Sequence, residues 1–305
     1  GDPHEPPGER GLGQIAFSMR FLSITACAAL LASCATTAGT PPAVLGAAPF
    51  YQKHVDAMGI PILASSRVPD EALFAARDMM CGMLAHRPDL AEWLAANDYR
   101  VALIARDEAL LDLPENAHWT KPARDDPRLT RCEIKHYDAR IGSKSAREYW
   151  DERARGIGGE RMVGSEEDVL GLPISRYFGE TIFVHEFAHN VLFAIEGVDP
   201  ALYRKVEAAY ANALANGLWL EEYTTTTIQE YWAEGTQFWF NSNRLQAFDG
   251  RQILGHTDLA SYDPQLFAVL AEAYGERHVL KSDPFHMHPA RTPPGPPPEN
   301  TAEIC

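Results

Sequence analysis

The chain has 305 residues, 46% of them hydrophobic, and a formal net charge of −15. That apolar content is enough for a sizeable core and excludes wholesale disorder. The excess of acid leaves no basic stripe to neutralise phosphates, which argues against nucleic acid as a partner.

Residues 1–18 are rich in Gly, Pro and charge, lack apolar periodicity and contain no methionine. Met19 and Arg20 then open an apolar stretch with a small-residue exit, the layout of a secretory signal. The stretch is too short to span a bilayer as a mature helix. The expectation is a start at Met19, with 1–18 an upstream extension and 19–33 a signal peptide. Its end, Leu31-Ala32-Ser33-Cys34, resembles the lipobox of bacterial lipoproteins. The resemblance implies cleavage before Cys34 and a membrane anchor on its thiol. Ala35 in place of an aspartate implies sorting to the outer membrane of a bacterial cell envelope. A soluble periplasmic protein is the alternative.

Residues 34–49 read as a flexible tether, with a folded domain over 50–280. Gly59–Ala64 and Arg100–Ala105 read as strands. Pro69-Asp70-Glu71 and Pro88 open helices. Met79, Met80 and Met83 on the first of these read as core filler. Thus 50–165 is an α/β part without a Gly-rich phosphate loop. Cys81 and Cys132 could pair in an oxidising compartment. The segment 153–168 is expected to supply an edge strand, with Glu167 and Asp168 either orienting a ligand imidazole or solvated in a loop.

The run Thr181–Ile195 is apolar nearly all round, a buried helix, with Gly197 placed to end it. It carries His185-Glu186-Phe187-Ala188-His189, of the form H-E-x-x-H. Residues four apart share a helix face, so His185 and His189 can present two imidazoles to one ion, and Glu186 can reach a water on it. A buried helix with two satisfied histidines is the bland alternative. Pro200–Asn216 is a further helix closed by Gly217. Trp219 to Thr227 leads into an aromatic-rich helix from Ile228 to Phe240, and Asp263-Pro264 starts a last one to Tyr274. Residues 281–305 read as a frayed, Pro-rich tail ending in Cys305, with His286 and His288 incidental.

A catalytic zinc needs three protein ligands and an open position. The metzincin pattern would need Gly at 192 and His at 195, where Leu192 and Ile195 stand. Thermolysin-like spacing falls on Ala208 and Ala209, and Glu207 is about 100° out of register. Glu230 and Glu234 remain, one turn apart on an apolar helix where carboxylates are costly unless compensated.

Glu230-Tyr231-Trp232-Ala233-Glu234, with Tyr223 seven residues earlier, resembles the gluzincin branch that includes anthrax lethal factor and the Pro-Pro endopeptidases. The resemblance spans about 60 residues, from 180 to 241, and leaves the N-terminal half uncovered. It implies an α+β, zincin-like fold: a mixed sheet, a helix carrying the H-E-x-x-H motif and a mostly helical C-terminal half, with 166–280 the metal-binding part. It further implies one Zn2+ on His185, His189 and Glu230, Glu186 as general base, Tyr223 stabilising the oxyanion, and Glu234 supporting a ligand. The function expected is a zinc metallopeptidase, cleaving peptides or proteins with metal-activated water. The alternatives are a lipid-anchored binding or assembly protein with a structural or vestigial metal site, and a zinc hydrolase of a non-peptide envelope amide.

Overall fold

A computed structural model describes residues 37–127, 129, 131–219, 223–248 and 250–295, with the side chains of 131, 132, 223 and 248 left out. The expected signal peptide, Cys34 and Cys305 lie outside the described residues, as do the side chains of Tyr223 and Cys132.

The fold is α+β. Strands β1 (Lys53–Ala57), β2 (Ile60–Ala64), β3 (Arg100–Ile104) and β4 (Arg161–Ser165) form one mixed sheet in the order β1-β2-β3-β4. The β1–β2 pair is antiparallel and the other two pairs are parallel. Met58 and Gly59 make the β1–β2 turn, both at positive φ. The β2–β3 connection is made by α1 (Asp70–Leu84) and α2 (Pro88–Ala96), and the β3–β4 connection contains α3 (Arg131–Lys135) and α4 (Ala146–Arg153). All five residues of β2 are buried, as expected of an interior strand covered on both faces. One face packs Ile62, Val101 and Met162 against the helices. The other packs Leu63, Ile104 and Val163 against Leu110, Tyr149 and Trp150.

After β4 and the short α5 (Glu166–Val169) the chain is mostly helical: α6 (Ile182–Val198), α7 (Pro200–Ala215), α8 (Ile228–Trp239), α9 (His256–Tyr262) and α10 (Pro264–Tyr274), with one hairpin, β5 (Gln246–Phe248) and β6 (Arg251–Ile253). Helix starts are chemically marked. Asp199 and Asp263 each precede a proline, and their carboxylates accept from the backbone N–H of Leu202 and Leu266 at 3.0 Å, combining N-cap and proline at N1. Helix α7 ends with Gly217 at φ 64°, where Leu218 N–H reaches Ala213 C=O and Gly217 N–H reaches Leu214 C=O. This is the Schellman pattern that the glycine permits.

Three expectations need correction. Residues 34–49 are not tether throughout: Gly39 pairs with His54 and Ala38 N–H donates to Asp70 at 3.0 Å. The free edge of β1 gives this segment backbone partners. Gly197 does not stop α6, which continues to Val198. A Cβ at 197 would lie 2.4 Å from the Trp93 ring, so this glycine serves the close approach of α2 to α6. The tail is docked as far as Arg291. Asp283 accepts from the hydroxyls of Thr181 and Ser242, both at 2.6 Å. Phe285 and Arg291 are buried. His288 accepts from Ala290 N–H and packs its ring on Phe178 and Phe285.

Candidate metal centre

Helices α6 and α8 cross to make the site. The first turn of α6 is capped by Asp168, whose carboxylate accepts from the N–H of Ile182 (3.2 Å) and Phe183 (2.8 Å). Complete burial pushes this carboxyl well above the usual range, against the pull of those two donors. Glu167 pairs with the buried Arg155 at 2.7 Å. Neither residue orients a ligand imidazole, and neither is solvated. Asp168 caps the start of α6, and Glu167 anchors a loop through Arg155. Helix α8 is capped by Thr227, which accepts from Glu230 N–H at 3.1 Å. This puts Glu230 in the first turn, where a carboxylate suits the helix dipole. Trp232 Nε1 donates to the Ala188 carbonyl at 3.0 Å, tying α8 to α6 at the residue just before His189.

The crossing brings His185, His189 and Glu230 together. Their candidate ligand atoms all lie within 4.8 Å of one another, and the group can hold a metal ion. His185 Nε2 is 3.0 Å from Glu230 Oε2, and His189 Nε2 is 3.8 Å from Glu230 Oε1. Three ligands, each about 2.0–2.2 Å from one tetrahedral ion, lie roughly 3.3–3.6 Å apart. The two separations run to different oxygens of one carboxylate and lie on either side of that value, so the donor set is compatible with one ion.

Burial opposes a charge on His185, yet the hydrogen bond it donates to Glu230 and the charges of Glu230, Glu234 and Glu186 outweigh it and raise the imidazole to about 10. Burial likewise opposes the charge on Glu230, but His185 holds its carboxyl down at about 2. Burial and the neighbouring His185 lower His189 to about 4, leaving it neutral. The site therefore has one neutral imidazole, one carboxylate and one imidazolium whose Nε2 proton a dication would displace.

The remaining side chains are placed unevenly. Glu234 Oε1 is 3.5 Å from His185 Nδ1, long for a hydrogen bond, while its Oε2 accepts from Asn243 at 2.9 Å. The closer partner of His185 Nδ1 is Gln237 Oε1 at 3.1 Å. Gln237 Nε2 donates to the Thr181 carbonyl at 3.2 Å, so the amide presents its oxygen to the ring and leaves Nε2 for an ion. The sequence reading missed Gln237. Its signal was present, because Glu230, Glu234 and Gln237 follow the i, i+4, i+7 spacing of one helix face. Burial raises Glu180 beside this group, against the pull of its partner Arg244. Tyr223 opens a short turn, Tyr223–Thr225, packed against α8.

The half-buried Glu186 points at the segment 155–159. A Cβ at Gly156 would lie 3.0 Å from Glu186 Cγ, and one at Gly158 would lie 2.9 Å from His189 Cβ. Ile157 exchanges both backbone hydrogen bonds with Val163 of β4, at 3.0 and 2.8 Å. The expected edge strand is thus doubled: β4 runs parallel to β3, and an antiparallel bridge at Ile157 lies outside it.

No protein-family model matches the sequence, and no curated protein matches it. Among solved structures the chain is similar to the Pro-Pro endopeptidase of Paenibacillus alvei. The identity is 14% and the TM-score 0.39, over 69% of this chain and 96% of that one.

Proposed function

We propose that the chain is a zinc-dependent peptidase. The observation that carries this reading is the convergence of His185, His189 and Glu230 beside a half-buried Glu186 that faces an extended backbone segment. When bound at these three residues, zinc supplies Lewis-acid polarisation of a carbonyl and activation of a water. Gln237 fixes the His185 tautomer from behind. Glu186 takes the proton of the attacking water and returns it to the leaving amine. Tyr223 remains the candidate for donating to the developing oxyanion, on the strength of its spacing before Glu230. Ile157 spends both its polar groups on Val163. By strand alternation the peptide groups of Gly156 and Gly158 face away from β4, where an extended substrate can pair with them. The Leu31–Cys34 pattern supports a lipid-anchored, envelope-facing enzyme.

The test is metal analysis of the purified protein together with digestion of a mixed peptide library, with and without chelator. One zinc per chain and chelator-sensitive cleavage are expected. A zinc-loaded protein that cuts no peptide but releases fragments from purified envelope polymers would transfer the reading to a non-peptide amide.

A further inference from the structure

The segment 155–159 is held over the metal cluster by contacts that come from α6 itself. Gly159 N–H donates to Asn190 Oδ1 at 2.8 Å, in a buried bond. Asn190 directly follows His189 and is 1% exposed. Gly159 adopts φ 114°, a region that favours glycine, and this conformation turns its N–H down to the helix. One residue earlier, the hydrogen of Gly158 occupies the only space available. A Cβ there would meet His189 Cδ2 at 2.8 Å, His189 Cβ at 2.9 Å and the Glu186 carbonyl at 3.1 Å. At the other end Arg155 is fixed by Glu167 and by the carbonyls of Ala105 and Glu108. The rim is therefore anchored at both ends and touches the ligand helix in between.

We propose that Asn190 is a positioning residue for substrate, and that Gly158 sets the height of the rim above His189. This rests on the peptidase reading above. The peptide groups of Gly156 and Gly158 can register an extended substrate against Glu186 only if the rim keeps one height and one register. Asn190 links that register to the helix that carries the ligands. Asn190 is not among the three converging donors, so its loss leaves the metal in place. Removal of its side-chain acceptor leaves a buried Gly159 N–H without a partner, and the rim rises to recover one.

The experiment compares the zinc-loaded protein with Asn190→Leu, Asn190→Asp and Gly158→Ala. Asn190→Leu is expected to hold one zinc, to raise KM by about tenfold with kcat little changed, and to speed hydrogen exchange at the Gly159 amide. Asn190→Asp keeps an acceptor in the same place and is expected to restore both KM and amide protection. Gly158→Ala forces a shift of rim or ring, so the absorption spectrum of the cobalt-substituted protein should change even where folding is intact. Wild-type KM and wild-type exchange in Asn190→Leu would overturn the proposal, as would an unchanged cobalt spectrum in Gly158→Ala. A zinc-loaded wild type that cuts no peptide defeats the peptidase reading instead. Exchange at Gly159 and the cobalt spectrum still decide whether these two residues set the rim.

Discussion

Gln237→Leu separates two accounts of how His185 is held. Leucine removes the acceptor of the His185 Nδ1–H, at 3.1 Å, and the donor to the Thr181 carbonyl, at 3.2 Å. Gln237, His185 and Thr181 are all buried, so water cannot replace either partner. Each of the two stranded groups costs about 1–3 kcal/mol, so the metal-free protein should lose about 2–6 kcal/mol of unfolding free energy. With metal, the outer partner of a ligating histidine is worth about 10–100-fold in affinity, or about 1.4–2.8 kcal/mol. Glu234→Gln is the control. Its nearest approach to the ring is 3.5 Å, and its other oxygen is engaged by Asn243, so its effect on affinity should be smaller than that of Gln237→Leu. The assay is chelator competition for zinc, with urea unfolding of the metal-free forms. Undiminished zinc affinity in Gln237→Leu would refute the reasoning. So would a larger loss in Glu234→Gln, which would return the supporting role to the carboxylate.

Glu186→Gln should retain metal, because Glu186 is not one of the three converging donors, and should lose about 10²–10⁴-fold in turnover, the usual contribution of a general base. An active variant would end the mechanism. Gly197→Ala drives a methyl to within 2.4–2.6 Å of the Trp93 ring, and overpacking of this kind costs about 1–3 kcal/mol, read as a lower urea midpoint at unchanged slope. His256 stacks on His278 at 3.8 Å. Burial, then the His278 charge, lowers its pKa below 6.5, against the nearby Asp258. Above pH 6.5 it is neutral both folded and unfolded. As pH falls below 6.5 the unfolded chain takes the proton first, so stability should decline through the folded pKa. His256→Gln should flatten that part of the stability–pH curve measured by urea unfolding.

Much of the scaffold was legible because its signals are local. Asp-Pro pairs mark the starts of α7 and α10, Gly217 marks the end of α7, and the apolar run around the H-E-x-x-H motif reads as the buried helix that it is. Local signals misled where a residue answers to something distant. Gly197 carries the composition of a helix stop, but its missing side chain is filled by Trp93, a neighbour more than 100 positions earlier. Glu167 and Asp168 look like loop charges, and no periodicity announces that Arg155 and the N-terminus of α6 bury them. The tail looks frayed because proline dominates its composition, yet two hydroxyls, from Thr181 and Ser242, seize Asp283.

The site divides along the same line. Its ligands share faces of two helices, and periodicity within each helix finds the members: His185 with His189, and Glu230 with Glu234 and Gln237. The ranking among the second group comes from the crossing of α6 over α8. That crossing is fixed by Trp232 on the Ala188 carbonyl and by packing of Phe183 and Phe187 in the shared core. A shift of one helical turn along α8 would exchange the places of Glu230 and Glu234, and no residue in either motif forbids it alone. The rim is less legible still. The edge-strand expectation for 153–168 covers Gly156, Gly158 and Gly159, but their composition does not announce their contacts with α6. Gly156 and Gly158 lack a side chain where α6 leaves little room for one, and Gly159 takes a φ that favours glycine. Substitutions there therefore test the metal centre more directly than their distance in sequence from the H-E-x-x-H motif suggests.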